Sequence, residues 1–210
     1  MTRFKLSLHR SMALLAAAVA LLLLAPTALL AEAPSPAARH IQTYYQQLMP
    51  TLRAAGSLSV RERDQRFYPA ITSAFDIPTM TRLATGPAWS SFSGAQQAAV
   101  RDAFAHFLVA DYAHEVSDYS GESFVVDPQT SPESRGGGEL VKTQLLQPGG
   151  RTVQLTSLGR RGRVVDVYLN GTVSDLATRR DEFASILAGG GGADALVKTL
   201  RERTASLLGG

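Results

Sequence analysis

The sequence predicts an α+β domain in which an antiparallel β-meander packs against N- and C-terminal helices. Three observations predict it. Apolar residues recur with a helical period before Gly121, the period falls to 2 between Gly121 and Leu169, and a helical period returns from Asp175 onward.

The first 31 residues read as an export signal. Arg3, Lys5 and Arg10 form a positive n-region, residues 11–24 are apolar and end in LLLL, Pro26 breaks the helix, and small residues lead to Glu32. Cleavage after Ala31 fits, because cleavage after Ala33 would set Pro34 beside the scissile bond. The uncharged stretch 11–31 is also long enough to span a bilayer, so a retained anchor stands as the alternative. Without residues 1–31, Lys+Arg falls from 21 to 18 against 18 Asp+Glu, and the remaining single domain, 32–210, is neutral. A neutral domain has no global field to hold it on a polyanion, which argues against a nucleic-acid partner. The sequence has no cysteine, which excludes a disulfide framework, a thiolate metal site, a cysteine nucleophile and a lipidated N-terminal Cys.

Residues 35–55 suit a helix, with Ile41, Tyr44, Tyr45, Leu48 and Leu52 on one stripe and Gly56 as its stop. Ser59 and Glu62 form a capping box for a second helix carrying Phe67, Tyr68, Ile71 and Phe75 inward, which Pro69 is expected to kink or split. Asp76 caps a new start with Pro78 in its first turn, and Gly86-Pro87 stops it. Ser93 and Gln96 form another capping box, followed by a long helix with Val100, Phe104, Phe107, Leu108 and Tyr112 as its apolar stripe.

Residues 123–127 are strand-like and end at Pro128, and 129–138 read as loop. Residues 139–147 and 151–158 flank Pro148-Gly149-Gly150 as a hairpin, and 160–162 turn into a third strand, 163–169. Alternation there sets Val165, Val167 and Leu169 on one face and Val164, Asp166 and Tyr168 on the other. Helices at 175–188 and 193–208 close the chain.

Few residues offer chemistry. Asp111, His114, Glu115 and Asp118 share one helix face at a spacing that can hold a divalent ion, but a solvated polar face has the same pattern and no HExxH pair supports a metal. The Gly189–Gly192 run has neither phosphate-loop pattern and reads as a helix connection. No GxSxG elbow occurs, and His106 and His114 have no nucleophile to serve. The basic residues 160, 161 and 163 read as a solvated turn. No catalytic residue, metal ligand or cofactor is therefore expected. An enzyme reading, a small-molecule isomerase or dehydratase with a cone-shaped apolar pocket, would need Asp166 or Asp111 as a buried acid. A solid-core interaction protein is the other alternative, since spacing alone does not separate a filled core from a cavity.

Residues 75–124, FDIPTMTRLATGPAWSSFSGAQQAAVRDAFAHFLVADYAHEVSDYSGESF, and 164–203, VVDVYLNGTVSDLATRRDEFASILAGGGGADALVKTLRER, together resemble the MlaC family. These are periplasmic phospholipid-binding proteins, also called toluene-tolerance auxiliary proteins, and the resemblance includes their hopanoid-associated branch. Thr85-Gly86 and the longer Asn170–Ser174 segment depart from the family pattern. The resemblance implies a monomeric periplasmic carrier holding phospholipid or hopanoid tails in an apolar cleft between sheet and helices. It also implies an inner-membrane ABC transporter complex with its substrate-binding ring and an outer-membrane lipoprotein–porin complex as partners, in keeping outer-membrane asymmetry. The amphipathic faces then nominate Phe104, Leu108, Tyr112, Val153, Leu155, Val165, Val167 and Leu169 as cleft lining, with Trp89 and Phe75 beside them.

Overall fold

The computed structural model describes residues 33–134 and 136–209; the expected export signal lies outside them. Helix α1 (Pro36–Arg53) begins at Ser35, whose hydroxyl accepts from the Ala38 N–H, and turns Ala38, Ile41, Tyr44, Tyr45, Leu48 and Leu52 inward. Helix α2 (Val60–Ala74) carries the expected Ser59–Glu62 capping box. Pro69 does not break it: the residue is exposed, as is Gln65, whose carbonyl it leaves free for water. Helix α3 (Ile77–Thr85) starts on Asp76, which accepts from the Thr79 N–H. Helix α4 (Gly94–Glu115) has the Ser93–Gln96 box and 22 residues. Ala103, Phe104, Phe107, Leu108, Val109 and Ala110 are all buried in it, so α4 is the axis of the helical layer.

The sheet is open and antiparallel, in the order β1-β2-β3-β4-β5, with β1 Ser123–Pro132, β2 Glu139–Leu146, β3 Thr152–Arg160, β4 Arg163–Leu169 and β5 Val173–Ser174. The fold is thus α+β, a meander against flanking helices. Strand β1 runs past Pro128 because the register shifts between Val126 and Thr130, where the missing proline N–H interrupts no ladder bond. The Pro128 carbonyl instead accepts from the Ser35 N–H at 2.9 Å, tying the start of α1 to the sheet. The outer edge of β4 is covered by β5 and, further along, by a parallel bridge from Phe75, with the Asp76 N–H donating to the Val164 carbonyl at 2.8 Å.

One irregularity changes the faces of β4. Leu158 pairs with Asp166 but Gly159 pairs with Val164, so Val165 is an extra residue, a one-residue β-bulge. Val164, Val167 and Leu169 therefore point to the helices. Val165, Asp166 and Tyr168 take the opposite face, where Val165 is 1% exposed and lines an opening with Thr79 and Arg82 of α3, and Asp166 accepts from the Leu176 N–H. The expected grouping of Val165 with Val167 and Leu169 is corrected by this bulge.

Helices α5 (Asp175–Ala188) and α6 (Gly192–Leu207) complete the layer. Phe183 of α5 meets Phe104 edge-on, ring centroids 5.5 Å apart, while Leu196 and Leu200 of α6 are fully buried in the same cluster. Arg63, 4% exposed, is a buried cation in this layer. Its guanidinium donates to the carbonyls of Ala113 (2.8 Å), Ala55 (2.9 Å) and Leu58 (3.0 Å), supplying donors to chain ends that have no helical partners.

Candidate functional site

The helices cover the inner face of the sheet unevenly. Helix α1 lies over β1 and β2 and stacks Tyr45 on Phe124, centroids 4.1 Å apart. Tyr44 on the same helix meets Phe75 edge-on at 5.4 Å, and Phe75 in turn lies 6.3 Å from Tyr112 of α4. A row of aromatic rings thus crosses from α1 to α4. Between the first turns of α1 and the sheet is an apolar opening of about 350 Å³, walled by Ile41, Val141, Val164 and Ser157, with Gly138 and Gly159 at its strand-end side. His40, Glu139, Arg161 and Arg163 also line it. At the opposite end of the strands the inner face continues as Leu145, Val153, Leu155 and Leu169, which lie side by side by register. The helices leave these residues partly open, and Leu169 is 45% exposed.

The buried wall of this cleft carries hydroxyls, while the charged Glu139, Arg161 and Arg163 sit exposed at its strand-end mouth. Burial pushes the Tyr45 hydroxyl up to about 12. It raises those of Tyr44 and Tyr112 well above the usual phenol range too, the Tyr112 group being pushed further by Asp175, so all three stay neutral. Thr143, fully buried on the inner face of β2, lies beside the Tyr45 hydroxyl. His40 and Arg163 are already engaged at the end of α2: the imidazole donates to the Ala74 carbonyl at 3.0 Å, and Arg163 donates to those of Thr72 (2.6 Å) and Ser73 (3.0 Å).

The residues nominated from sequence separate into groups. Val153, Leu155, Val167 and Leu169 share the inner face, and Phe75 and Tyr112 belong to the aromatic row. Phe104 and Leu108 are fully buried, and Phe104 packs its ring on Phe183 within the helical layer. Trp89 is half-buried in the 3₁₀ turn Gly86–Ser91 and packs near Phe92, centroids 6.3 Å apart. Val165 lies on the other side of the sheet, as the bulge dictates. Sequence reasoning did not nominate Ile41, Tyr44, Val141, Ser157 or Val164. The α1 stripe already held the first two; the others depend on register and the bulge.

The two acids of the enzyme reading are both engaged structurally. The Asp166 carboxylate accepts from the N–H groups of Val167 (2.8 Å) and Leu176 (3.0 Å) and from the Ser174 hydroxyl (2.7 Å), pinning the β4–β5–α5 connection. Asp111 pairs with the Arg179 guanidinium, which also meets Asp175 at 3.4 Å and lies over the Phe107 ring. Among the described residues no group of three or more His, Asp or Glu could hold a metal ion. The Asp118 side chain of the polar face is outside what the structure describes.

A family model described as MlaC protein matches residues 42–202, which span every element that builds the cleft except the start of α1, residues 36–41. The chain belongs to the MlaC family. One solved structure of similar fold is a phospholipid-binding protein from Ralstonia solanacearum, in complex with a phospholipid. The similarity has a TM-score of 0.69 at 21% identity, covering 81% of this chain and 98% of the other. At that identity it establishes for this MlaC-family chain a shared fold. Comparison with curated proteins finds no match.

Proposed function

We propose that this MlaC-family protein is a non-catalytic carrier that takes the tails of a phospholipid into the cleft between α1 and the inner face of the sheet. One observation carries the reading: an apolar inner face that the protein's own helices leave partly uncovered, with an opening of about 350 Å³ beside Ile41, Val141 and Val164. A solid-core protein would close that face. The volume is at the lower end for small-molecule pockets, so the cleft must widen to admit two chains. The phospholipid held by the Ralstonia solanacearum neighbour supports the same ligand class.

The physics of a carrier needs no reaction. Taking a 16-carbon chain out of water gains roughly 13 kcal/mol, so free passage between membranes is very slow. Bilayer and cleft are both apolar, and exchange between them is close to neutral once the tails are shielded. We place this exchange in the periplasm, between an inner-membrane ABC transporter complex with its substrate-binding ring and an outer-membrane lipoprotein–porin complex. No helix among the described residues is long and apolar enough to cross a membrane.

Transfer of a fluorescent phospholipid between donor and acceptor vesicles tests the reading. The protein should accelerate transfer in proportion to its concentration. A rate equal to that without protein, for phospholipid and hopanoid alike, contradicts it; acceleration of hopanoid alone changes the cargo.

A further inference from the structure

A second opening, of about 410 Å³, adjoins the apolar one, and the two share Gly138 and Arg161. Its character is different. Arg82 of α3, Arg160 at the end of β3 and Arg161 of the β3–β4 turn line it, with Asp76, Thr79, the Gly136–Gly138 backbone and Val165, which puts it on the outer face of the sheet, across the strand ends from the apolar opening. Resting on the carrier reading, the geometry points to this chamber as the seat of the lipid's phosphate group, held by Arg82 and Arg161.

The three arginines are not equivalent. Arg160 is a structural tie, donating to the Gly137 carbonyl at 2.8 Å and pairing with Glu133 at 3.6 Å. The guanidinium groups of Arg82 and Arg161 make no hydrogen bond or ion pair among the described residues, although they face a common space. Of the acids there, Glu133 faces Arg160, and Asp76 accepts from the Thr79 N–H at 3.1 Å as the cap of α3. Two uncommitted guanidinium groups against one occupied carboxylate leave the chamber cationic.

The walls of the chamber are closely fitted. A Cβ on Gly138 would lie 2.6 Å from the Gly159 carbonyl oxygen, so the β1–β2 loop can approach β3 only with glycine there. Arg161 has φ +52°, and with Gly162 at +76° it forms the primed two-residue turn that ordinarily takes Asn-Gly. The chain itself uses Asn170-Gly171 at the corresponding turn after β4, with φ +51° and +73°. An arginine in this backbone conformation places a cation where the polar chamber meets the apolar opening. An amphiphile with its tail beside Val141 and Val164 on the inner face would carry its phosphate past the strand ends at Gly138 and Arg161 to the guanidinium fork, which matches phosphate oxygens in pairs.

The test is competitive uptake by the full mature chain, at low salt, from vesicles holding zwitterionic phospholipid and a minor fraction of diacylglycerol with the same acyl chains. Bound lipid is read by mass spectrometry and normalised to the vesicle composition. Wild type should favour phospholipid by about tenfold, the size of one good charge-assisted contact at an exposed site. The double variant Arg82→Ala, Arg161→Ala should lose that preference, its phospholipid uptake falling toward that of diacylglycerol at equal vesicle content. Arg161→Lys alone should keep most of the preference. Equal preference in wild type and double variant overturns the phosphate seat and leaves the carrier reading intact. Uptake of neither lipid by wild type overturns the carrier reading itself. Inorganic phosphate binding to lipid-free protein, with no headgroup preference in uptake, would assign the chamber to free phosphate and overturn the lipid assignment.

Discussion

Filling the cleft should stabilise the empty protein and disable the carrier at once. Ser157 is the place to do it: it is 4% exposed, lies on the inner face opposite Val141 and Val167, and lines the apolar opening. Its hydroxyl makes no hydrogen bond among the described residues, so little is lost with it. A phenylalanine at 157 would project its ring into the 350 Å³ space toward Ile41. Burying a Phe side chain is worth about 1.5–3 kcal/mol, against roughly 0.5–1 kcal/mol of rotamer entropy. The net is about 1–2 kcal/mol, which raises Tm by about 3–6 °C for a domain of this size. Lipid entry must displace that ring, so the same burial energy is subtracted from binding and affinity falls about tenfold or more. Thermal unfolding of lipid-free Ser157→Phe and vesicle uptake read the two halves. A variant that is destabilised would show that no space exists there. A variant that is stabilised yet takes up lipid as well as wild type would show that the tails go elsewhere, and the cleft assignment would be refuted.

Other expectations concern the frame around the cleft. Arg63→Met leaves three carbonyls, two of them buried, without their donor, at a cost of about 3 kcal/mol, and Tm measured by circular dichroism should fall by about 6–12 °C. Gly138→Ala meets the Gly159 carbonyl and a positive φ of +131°, so it should destabilise by more than about 1 kcal/mol in denaturant titration, where Gly137→Ala, with open space around it, costs less. Burial holds the Asp175 and Glu115 carboxyls above their ordinary values, Glu115 also by repulsion from Asp111. Such groups bind protons more tightly folded than unfolded, so their contribution favours folding as pH falls from neutrality through their raised values, then levels off below the unfolded values. Tm against pH should show that rise in wild type and a smaller one in Asp175→Asn; an identical profile would count against the assignment.

Much of this architecture is legible in the residues themselves. Ser59 with Glu62, Ser93 with Gln96, and Asp76 with Pro78 are local chemistry, and each helix starts where they set it. The hairpin turns are likewise written in Pro148-Gly149-Gly150 and in the residues around Gly162. Three features are not local. The bulge at Val165 arises where β4 must meet both β3 and the incoming Phe75 bridge, and a strict period of 2 misassigns its faces. Pro69 and Pro128 look like breakers, but one sits on an exposed helix face and the other in a register shift, where no partner needs the missing N–H. Buried Arg63 finds its acceptors on segments up to 50 residues away, which no spacing rule encodes.

The candidate site was legible in half. Val153, Leu155, Val167 and Leu169 follow from alternation, and Phe75 and Tyr112 from helical stripes. Phe104 belongs to the same stripe as Tyr112, but two turns along α4 the facing partner is Phe183 of α5. A helix buried nearly all round has more than one apolar face, and composition does not say which one meets the sheet.

Native mass spectrometry of the protein, purified without detergent and followed by lipid extraction, bears most directly on the central claim. The account predicts a bound species of diacyl phospholipid mass, one per chain, that is lost or strongly reduced in Ser157→Phe. A lipid-free mass that persists after incubation with phospholipid vesicles would contradict it.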